Sequence, residues 1–277
     1  MIQNTFCHLS GISAAMERQL WADGITRWDH LRQCRHPNIS SAKLRTLEPH
    51  LGESRVRLQE PDPAYFAGRL VSREHWRLFG DFRSSVAYLD IETTGLSAYD
   101  HITSIALYDG QNIRHYIHGQ NLDQFAHDVQ QYRLLVTFNG KSFDVPFIER
   151  SLGCRLPQAH VDLRYVLKSL GYSGGLKAVE KRLGMDRDEL DGVDGFLAVL
   201  LWREYTKRGD REALDTLLAY NVQDVLNLET LAVFAYNQKL KDTPFSENLA
   251  LIPATPMANP FPAHRRVVER CLRGRFW

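Results

Sequence analysis

Ser85-Val-Ala-Tyr-Leu-Asp-Ile-Glu-Thr-Thr-Gly-Leu96 is the stretch of sequence that decides the fold. Its first eight residues predict a strand, because they are mainly apolar and β-prone, and the glycine that follows interrupts it. Residues 102–108 and 113–117 predict two more strands, and Asp109-Gly110 between them is a tight-turn signal. The three segments together predict an antiparallel meander.

Residues 133–138 form an apolar run between predicted helices, which favours a buried parallel strand. A short last strand is predicted at 160–163. Helices are predicted at 122–131, 145–152, 164–170, 175–183, 195–208 and 211–237. Three meandering strands followed by alternating strands and helices predict an α/β fold with a mixed sheet flanked by helices.

The composition describes a globular chain whose charge is unevenly spread. The 277 residues include 34 Lys and Arg against 33 Asp and Glu, a net charge of +1, and 44% are hydrophobic. These values exclude a disordered chain and a uniformly basic coat. Residues 1–80 hold 11 basic and 8 acidic side chains, residues 85–240 hold 16 and 21, and residues 241–277 hold 6 and 3. Near-neutrality therefore does not argue against a polyanionic substrate.

Three segments, 1–80, 81–240 and 241–277, differ in this charge and in their predicted elements. The first is polar and helical, the second holds the sheet, and the third is a tail that contains proline and arginine. The four cysteines, Cys7, Cys34, Cys154 and Cys271, form no Cys-x-x-Cys pair, so we expect reduced thiols. No signal-peptide pattern opens the chain, and no apolar run reaches the ~20 residues of a membrane span. We therefore expect a cytoplasmic protein that does not enter a membrane.

Two carboxylates stand at the end of the first predicted strand. Asp90 and Glu92 project from the same face, because side chains alternate along a strand. Two carboxylates at such a short distance repel each other unless a cation lies between them, and Mg²⁺ prefers such oxygen ligands. The alternative is an ordinary polar strand end. The following Thr93-Thr94-Gly95 favours the functional interpretation, since glycine lets the backbone approach a nucleotide closely.

A second acidic position follows the predicted buried strand, in Asn139-Gly-Lys-Ser-Phe-Asp144. Asp144 then lies near the start of a helix, with Pro146 where a first turn tolerates it. A helix N-cap is the alternative role for this aspartate. The loop, however, leaves the carboxyl end of a strand, where α/β sheets place their sites.

The third cluster is Tyr220-Asn-Val-Gln-Asp224 within a long predicted helix. Tyr220 and Asp224 are four residues apart and share a face with Leu217 and Leu228. A carboxylate on an apolar stripe costs several kcal/mol if unpaired, so Asp224 needs a cation. A buried hydrogen bond between the tyrosine and the aspartate is the alternative.

The order and residue types of the three clusters resemble the DEDD superfamily of 3′–5′ exonucleases, over roughly residues 85–237. The Tyr-x-x-x-Asp spacing is similar to that of the tyrosine subclass, because Ala219 stands where the histidine subclass has histidine. Residues 76–96 and 176–184 resemble the bacterial YprB-type proteins, which are predicted exonucleases. Asp162 matches an aspartate that this family often has, although a strand-end cap would explain it equally well.

The resemblance implies a ribonuclease-H-like fold with a five-stranded sheet, and a two-metal hydrolysis of nucleic acid that uses Mg²⁺ or Mn²⁺. It implies that Asp90 bridges the two cations, that Glu92 and Asp224 complete one site, and that Asp144 holds the other. Tyr220 would orient the attacking water. The implied activity is 3′–5′ exonuclease at a single-stranded 3′ end, with DNA favoured over RNA. The alternatives are an endonuclease or resolvase of the same fold and a non-catalytic nucleic-acid-binding protein.

The same resemblance implies the contacts to the substrate. The 3′ end would lie over Thr93, Thr94 and Leu96, with Leu96 wedged against a base. Asn139 and Lys141 would touch sugar or phosphate. A solvated loop lysine is the alternative for Lys141.

The flanking segments offer two further hypotheses. Residues 9–31 resemble a helix-hairpin-helix module, which binds phosphates through backbone N–H groups, except that Ser13 replaces the usual second glycine. A small helical cap with Trp21, Ile25 and Trp28 in its core is the alternative. At the other end, arginines with Phe276 and Trp277 suit contact with nucleic acid. These arginines are Arg265, Arg266, Arg270, Arg273 and Arg275. The alternative is a tail that packs its aromatic residues on the domain.

Overall fold

A computed structural model describes residues 1–32, 37, 39–97, 99–190, 192–253, 255 and 257–273. Cys34, Arg275, Phe276 and Trp277, which entered the expectations above, lie outside the described residues. The other three cysteines carry free thiols. Over the described ranges, no helix is both long and apolar enough to cross a membrane.

The sheet confirms the predicted α/β fold with its five mixed strands. The strands are β1 (Val86–Thr93), β2 (Ile102–Tyr108), β3 (Ile113–Ile117), β4 (Leu134–Thr137) and β5 (Ala159–Asp162). Their order is β3-β2-β1-β4-β5. β1 pairs antiparallel with β2, and β2 with β3, which is the predicted meander. β4 pairs parallel with β1 and with β5. β1 is therefore the central strand.

The helices flank this sheet and agree closely with the predicted segments from residue 144 onward. In the described chain they are α1 (Ala14–Ala22), α2 (Trp28–Arg32), α3 (Ser41–Gln59), α4 (Pro63–Ala67), α5 (Leu78–Phe82), α6 (Phe125–Asp128), α7 (Asp144–Leu152), α8 (Leu163–Ser169), α9 (Leu176–Arg182), α10 (Gly195–Arg208), α11 (Arg211–Leu240), α12 (Ser246–Leu249) and α13 (Arg265–Arg273). Short 3₁₀ turns on each side of α6 break the single helix predicted at 122–131.

Each face of β1 packs against a different core. Ala87, Leu89 and Ile91 lie in one core with residues of α6 and α7. Val86 and Tyr88 lie in the other, which includes residues of α11. Asp90 and Glu92 continue the α11 face, because residues two apart share a face of a strand. The strand thus carries its two carboxylates toward the longest helix of the described chain.

The N-terminal helices pack into the same core as the α11 face of the sheet. Trp21, Ile25 and Trp28 are buried there, as the helical-cap alternative expects. In the hairpin that precedes α1, Gly11 has a φ of +75°. Ser13 caps α1 and accepts a hydrogen bond from the Met16 N–H. The replacement of the second glycine by serine therefore provides a helix cap, and contact of this hairpin with nucleic acid stays a prediction.

The C-terminal segment forms a helix that the sequence analysis did not identify. α13 buries Val267, Val268 and Cys271 beside α10 and α11. The spacing of these three residues places them on one face of the helix. The guanidinium of Arg270 pairs with Asp210, while the side chains of Arg265, Arg266 and Arg273 are mostly exposed. Contact of these arginines with nucleic acid stays a prediction.

Candidate metal centre

Three of the predicted carboxylates converge on one point. Asp90, Glu92 and Asp224 each offer an oxygen, and these oxygens all lie within 4.8 Å of one another. Glu92 and Asp224 are buried, and Asp90 is partly exposed. Two of the three come from β1 and the third from α11, which crosses the face of the sheet that β1 presents. Their proximity thus follows from the packing of one helix on the central strand.

Burial and mutual repulsion make this arrangement unfavourable for three free anions. Burial raises the pKa of Asp90, and repulsion from Asp224 and Asp144 raises it further. Burial and Asp224 likewise raise the pKa of Glu92. The pKa of Asp224 is also raised by burial, although the guanidinium of Arg187 opposes the shift. Such shifts arise where like charges share a site, and a divalent cation among the oxygens would relieve them. The donor set of hard carboxylate oxygens fits Mg²⁺ or Mn²⁺.

Asp144 lies outside this close group but within its electrostatic reach. It is buried with 4% of its surface exposed. Burial raises its pKa to about 7, the N–H groups of Asp144 and Ile91 oppose this, and Asp162 and Asp224 add to it. The N-cap of α7 is Phe143, without a side-chain cap. The structure therefore does not use Asp144 as the helix cap that the sequence allowed.

Tyr220 faces the same site but does not pair with Asp224. It is 5% exposed, and its hydroxyl accepts a hydrogen bond of 2.5 Å from Nζ of Lys177. The same ammonium also donates to the carbonyl of Val193 and lies 4.0 Å from the centroid of the Tyr220 ring. Burial raises the pKa of Tyr220 well above its ordinary range, with Asp224 and Glu92 adding to the effect. The hydroxyl therefore keeps its proton at neutral pH, and its role in catalysis stays a prediction.

The predicted substrate contacts on the β1 side form a shaped loop. The Thr93 hydroxyl donates to the carbonyl of Gly95, and the Thr94 hydroxyl donates to Asp100. A Cβ at Gly95 would lie 2.6 Å from Oδ2 of Asp100, so a side chain there would displace this carboxylate, which accepts the hydrogen bond from Thr94. Both hydroxyls are thus used inside the loop, whereas the Leu96 side chain is 84% exposed. Of these residues, Leu96 is the one that the loop presents to solvent.

The contacts predicted after β4 are held by a neighbouring aspartate. Asp162, which caps α8, accepts hydrogen bonds from the backbone N–H groups of Asn139 and Lys141. Asn139 has a φ of 69°, and its side-chain oxygen accepts a hydrogen bond from Arg164. The ammonium of Lys141 is half-buried, 3.2 Å from Nδ1 of His75. Lys141 is thus not the solvated loop lysine that the sequence allowed, and Asp162 organises this loop as well as capping a helix.

Sequence analysis missed three residues that shape the site. Asn221 is fully buried; it donates to Oδ2 of Asp90 over 2.7 Å and accepts from the hydroxyl of Ser104 over 2.9 Å. Its place beside Tyr220 was the available signal. Lys177 lies in a stretch that resembles YprB-type proteins, but nothing in its spacing indicated a contact with Tyr220. Arg187, which contacts Asp224, lies on a connection without a recognisable motif.

A mixed sheet with buried carboxylates on its central strand and on the helix that covers it is an α/β fold with a candidate metal site. A comparison with protein families assigns the chain more closely. The sequence model of the RNase_H superfamily matches residues 87–236, which is more than half of the chain. The chain belongs to the RNase_H superfamily, and this membership supports a nuclease that uses divalent metal and binds nucleic acid.

No curated protein matches the sequence significantly. Among solved structures, the family B DNA polymerase from the hyperthermophilic archaeon Pyrobaculum calidifontis is similar, with 20% sequence identity and a TM-score of 0.44. The alignment covers 60% of this chain and 27% of the polymerase chain.

Proposed function

We propose that the protein is a metal-dependent 3′–5′ exonuclease of the DEDD type, tyrosine subclass, similar to the YprB-type proteins. One observation carries the proposal: Asp90, Glu92 and Asp224 meet in one buried site that Asp144 and Tyr220 also face. Those are the residue types that the exonuclease resemblance requires. The Tyr-x-x-x-Asp pair on α11 favours an end-processing enzyme over an endonuclease of the same fold.

The carboxylates and Tyr220 would have different roles in phosphodiester hydrolysis. Asp90, Glu92 and Asp224 would hold one divalent cation, and Asp144 together with Asp90 would hold a second. When bound, the two cations supply charge stabilisation for the attacking and leaving oxygens of an in-line displacement. Tyr220 keeps its proton and directs its hydroxyl at the site, so that it orients water against the scissile phosphate.

Other residues would position the substrate. Leu96, exposed at the tip of its loop, would wedge against the terminal base. Thr93 and Thr94 set the shape of that loop, so their contribution to the 3′ end would come mainly from the backbone. Asn139 and Lys141 would contact sugar or phosphate from the loop after β4. The likeness of residues 9–31 to a helix-hairpin-helix module favours DNA over RNA as the substrate.

The boundaries of the three parts of the chain belong to the same proposal. Residues 1–80 would form a helical module, 81–240 the exonuclease domain, and 241–277 a C-terminal segment. The single-stranded 3′ end would be the preferred substrate, and the enzyme would work in the cytoplasm.

The test is cleavage of 5′-labelled single-stranded DNA, duplex DNA and RNA with Mg²⁺ or Mn²⁺. The wild type is expected to give a one-nucleotide ladder that shortens from the 3′ end, and Asp90→Ala is expected to abolish it. Tyr220→Phe is expected to keep a remnant of activity. Asp123→Ala removes an exposed carboxylate on a 3₁₀ turn outside the site and serves as the matched control.

Three outcomes would contradict the proposal. Full Mg²⁺-dependent activity in Asp90→Ala would remove the metal site from the mechanism. Internal cuts in a circular substrate would identify an endonuclease instead. Binding without cleavage under every metal would identify a non-catalytic nucleic-acid-binding protein.

A further inference from the structure

We propose that Arg187 is an internal counter-ion of Asp224, and that it competes with a divalent cation for this carboxylate and so lowers the affinity of the site for metal. The inference rests on the proposed function, since it takes Asp224 as a metal ligand. It assigns a role to a residue that belongs to none of the three carboxylate clusters.

The contact itself is close and buried. Nη2 of Arg187 lies 2.5 Å from Oδ1 of Asp224, and both side chains are 7% exposed. Asp224 is one of the three carboxylates whose oxygens lie within 4.8 Å of one another. A guanidinium therefore already neutralises part of the charge that a metal ion would use. Water screens such a buried pair much less than it screens a surface pair.

A second carboxylate keeps the guanidinium in this position. Glu180 of α9 accepts hydrogen bonds from Nε of Arg187 over 2.6 Å and from Nη2 over 2.7 Å. Glu180 is 1% exposed, and Asn227 of α11 donates to its Oε1 over 2.8 Å. Two parallel bonds fix a guanidinium in direction as well as in distance. Arg187 thus stays beside Asp224 when no metal is bound, because leaving would strand two buried carboxylates.

The charges around Arg187 favour this role over a purely structural one. The groups that face it are the carboxylates of Glu180, Asp224 and Glu92, the ammonium of Lys177, and the ring of Tyr220, whose centroid lies 5.8 Å from Cζ of Arg187. Lys177 is committed to the hydroxyl of Tyr220 and to a backbone carbonyl. Within the described residues, Arg187 is therefore the side-chain cation that forms an ion pair with one of the three converging carboxylates. A divalent cation that approaches Asp224 must share this carboxylate with the guanidinium and is repelled by it.

The test is calorimetric titration of the full chain with Mn²⁺, without any substrate. Arg187→Met is expected to bind Mn²⁺ about tenfold more tightly than the wild type, because a unit charge beside the ligand is removed. Its melting temperature in EDTA is expected to fall, since two buried carboxylates lose their partner. Glu180→Gln is expected to weaken Mn²⁺ binding, because the guanidinium then directs its full charge at Asp224.

Arg187→Lys, which keeps the charge, should restore an affinity close to that of the wild type. Arg208→Met, which removes an arginine whose side chain is 67% exposed on α10, is the matched control and should change neither quantity. If Arg187 had only a structural role, Arg187→Met and Glu180→Gln would not change the affinity for Mn²⁺ in opposite directions.

Unchanged or weaker Mn²⁺ binding by Arg187→Met would overturn the inference. If that variant does not fold, unchanged or tighter binding by Glu180→Gln would overturn it instead. No Mn²⁺ binding by the wild type, or equal binding by Asp90→Ala, would overturn the proposed metal site and this inference with it. If the wild type binds Mn²⁺ but Arg187→Met does not bind it more tightly, the inference about Arg187 is overturned and the proposed metal site is not.

Discussion

Replacing Asp144 by a neutral residue in the metal-free protein should show how much the ionised carboxylate lowers the free energy of unfolding. Burial raises the pKa of this carboxyl from 3.8 to about 7. An acid whose pKa is raised by folding binds its proton more tightly in the folded state. The contribution of Asp144 to the stability of the metal-free protein is therefore fully present below pH about 4 and is lost as the pH rises through about 7. Asp144→Asn removes the titrating group and with it this loss.

The magnitude follows from the size of the pKa shift. The rise of the Asp144 pKa from 3.8 to about 7 corresponds to about 4 kcal/mol of stability when it is fully expressed. Between pH 5 and pH 8, the part of the shift that titrates is worth about 3 kcal/mol. The wild type should therefore lose about 3 kcal/mol of stability relative to Asp144→Asn over this interval, because the variant has no carboxyl to deprotonate.

The assay is urea unfolding in EDTA at pH 5 and pH 8 for the wild type, Asp144→Asn and the control Asp123→Asn. The free energy of unfolding of Asp144→Asn, relative to wild type, should rise by about 3 kcal/mol between the two pH values. Asp123 is exposed, so its variant should show no such rise. A relative change for Asp144→Asn below about 0.5 kcal/mol would refute the reasoning, because a surface substitution has an effect of that size.

Three other substitutions test separate parts of the site. Asn221→Ala should lower the free energy of unfolding in urea by about 2–4 kcal/mol, because the buried amide loses its hydrogen bonds with Asp90 and Ser104; a loss below about 1 kcal/mol would contradict this. Lys177→Met should reduce the turnover of the exonuclease about tenfold or more, and little further when combined with Tyr220→Phe, since both act through one hydrogen bond. Fully additive effects in that double-mutant cycle would separate the two residues. Leu96→Ser should leave the melting temperature unchanged and raise KM for single-stranded DNA, and an unchanged KM would remove this leucine from the substrate contacts.

The sheet was predictable because its strands carry strong local signals. The bounds 102–108 and 113–117 agree with β2 and β3 residue for residue. β-branched and aromatic residues with a turn signal between them leave few alternatives at that point. The helix at 122–131 was less predictable, since tertiary packing divides it into a 3₁₀ turn, α6 and another 3₁₀ turn. α13 was missed because prolines precede it and its apolar residues, Val267, Val268, Cys271 and Leu272, span fewer than two helical turns.

The candidate site was partly predictable for a similar reason. Periodicity along β1 and α11 indicates which carboxylates share a face, so the convergence of Asp90, Glu92 and Asp224 follows once the helix crosses the strand. Arg187 was not predictable, because its contact with Asp224 joins residues 37 positions apart, and Arg187 itself lies in the connection between α9 and α10. Local sequence patterns indicate contacts within one helical turn or one strand. They do not indicate which arginine or lysine from a distant segment contacts the site.

The register of α11 limits how the sequence can change by insertion and deletion. The helix runs for 30 residues; it presents Tyr220 and Asp224 to the site, and farther along it packs Tyr236 against Trp76 and Phe79 of the N-terminal region. Each residue added to or removed from a helix rotates everything beyond it by roughly 100°. One inserted residue between Asp224 and Tyr236 would therefore turn either the carboxylate or the aromatic anchor away from its partners. Length variation among homologous sequences should accordingly be absent from this helix and concentrate in the connections on either side of it.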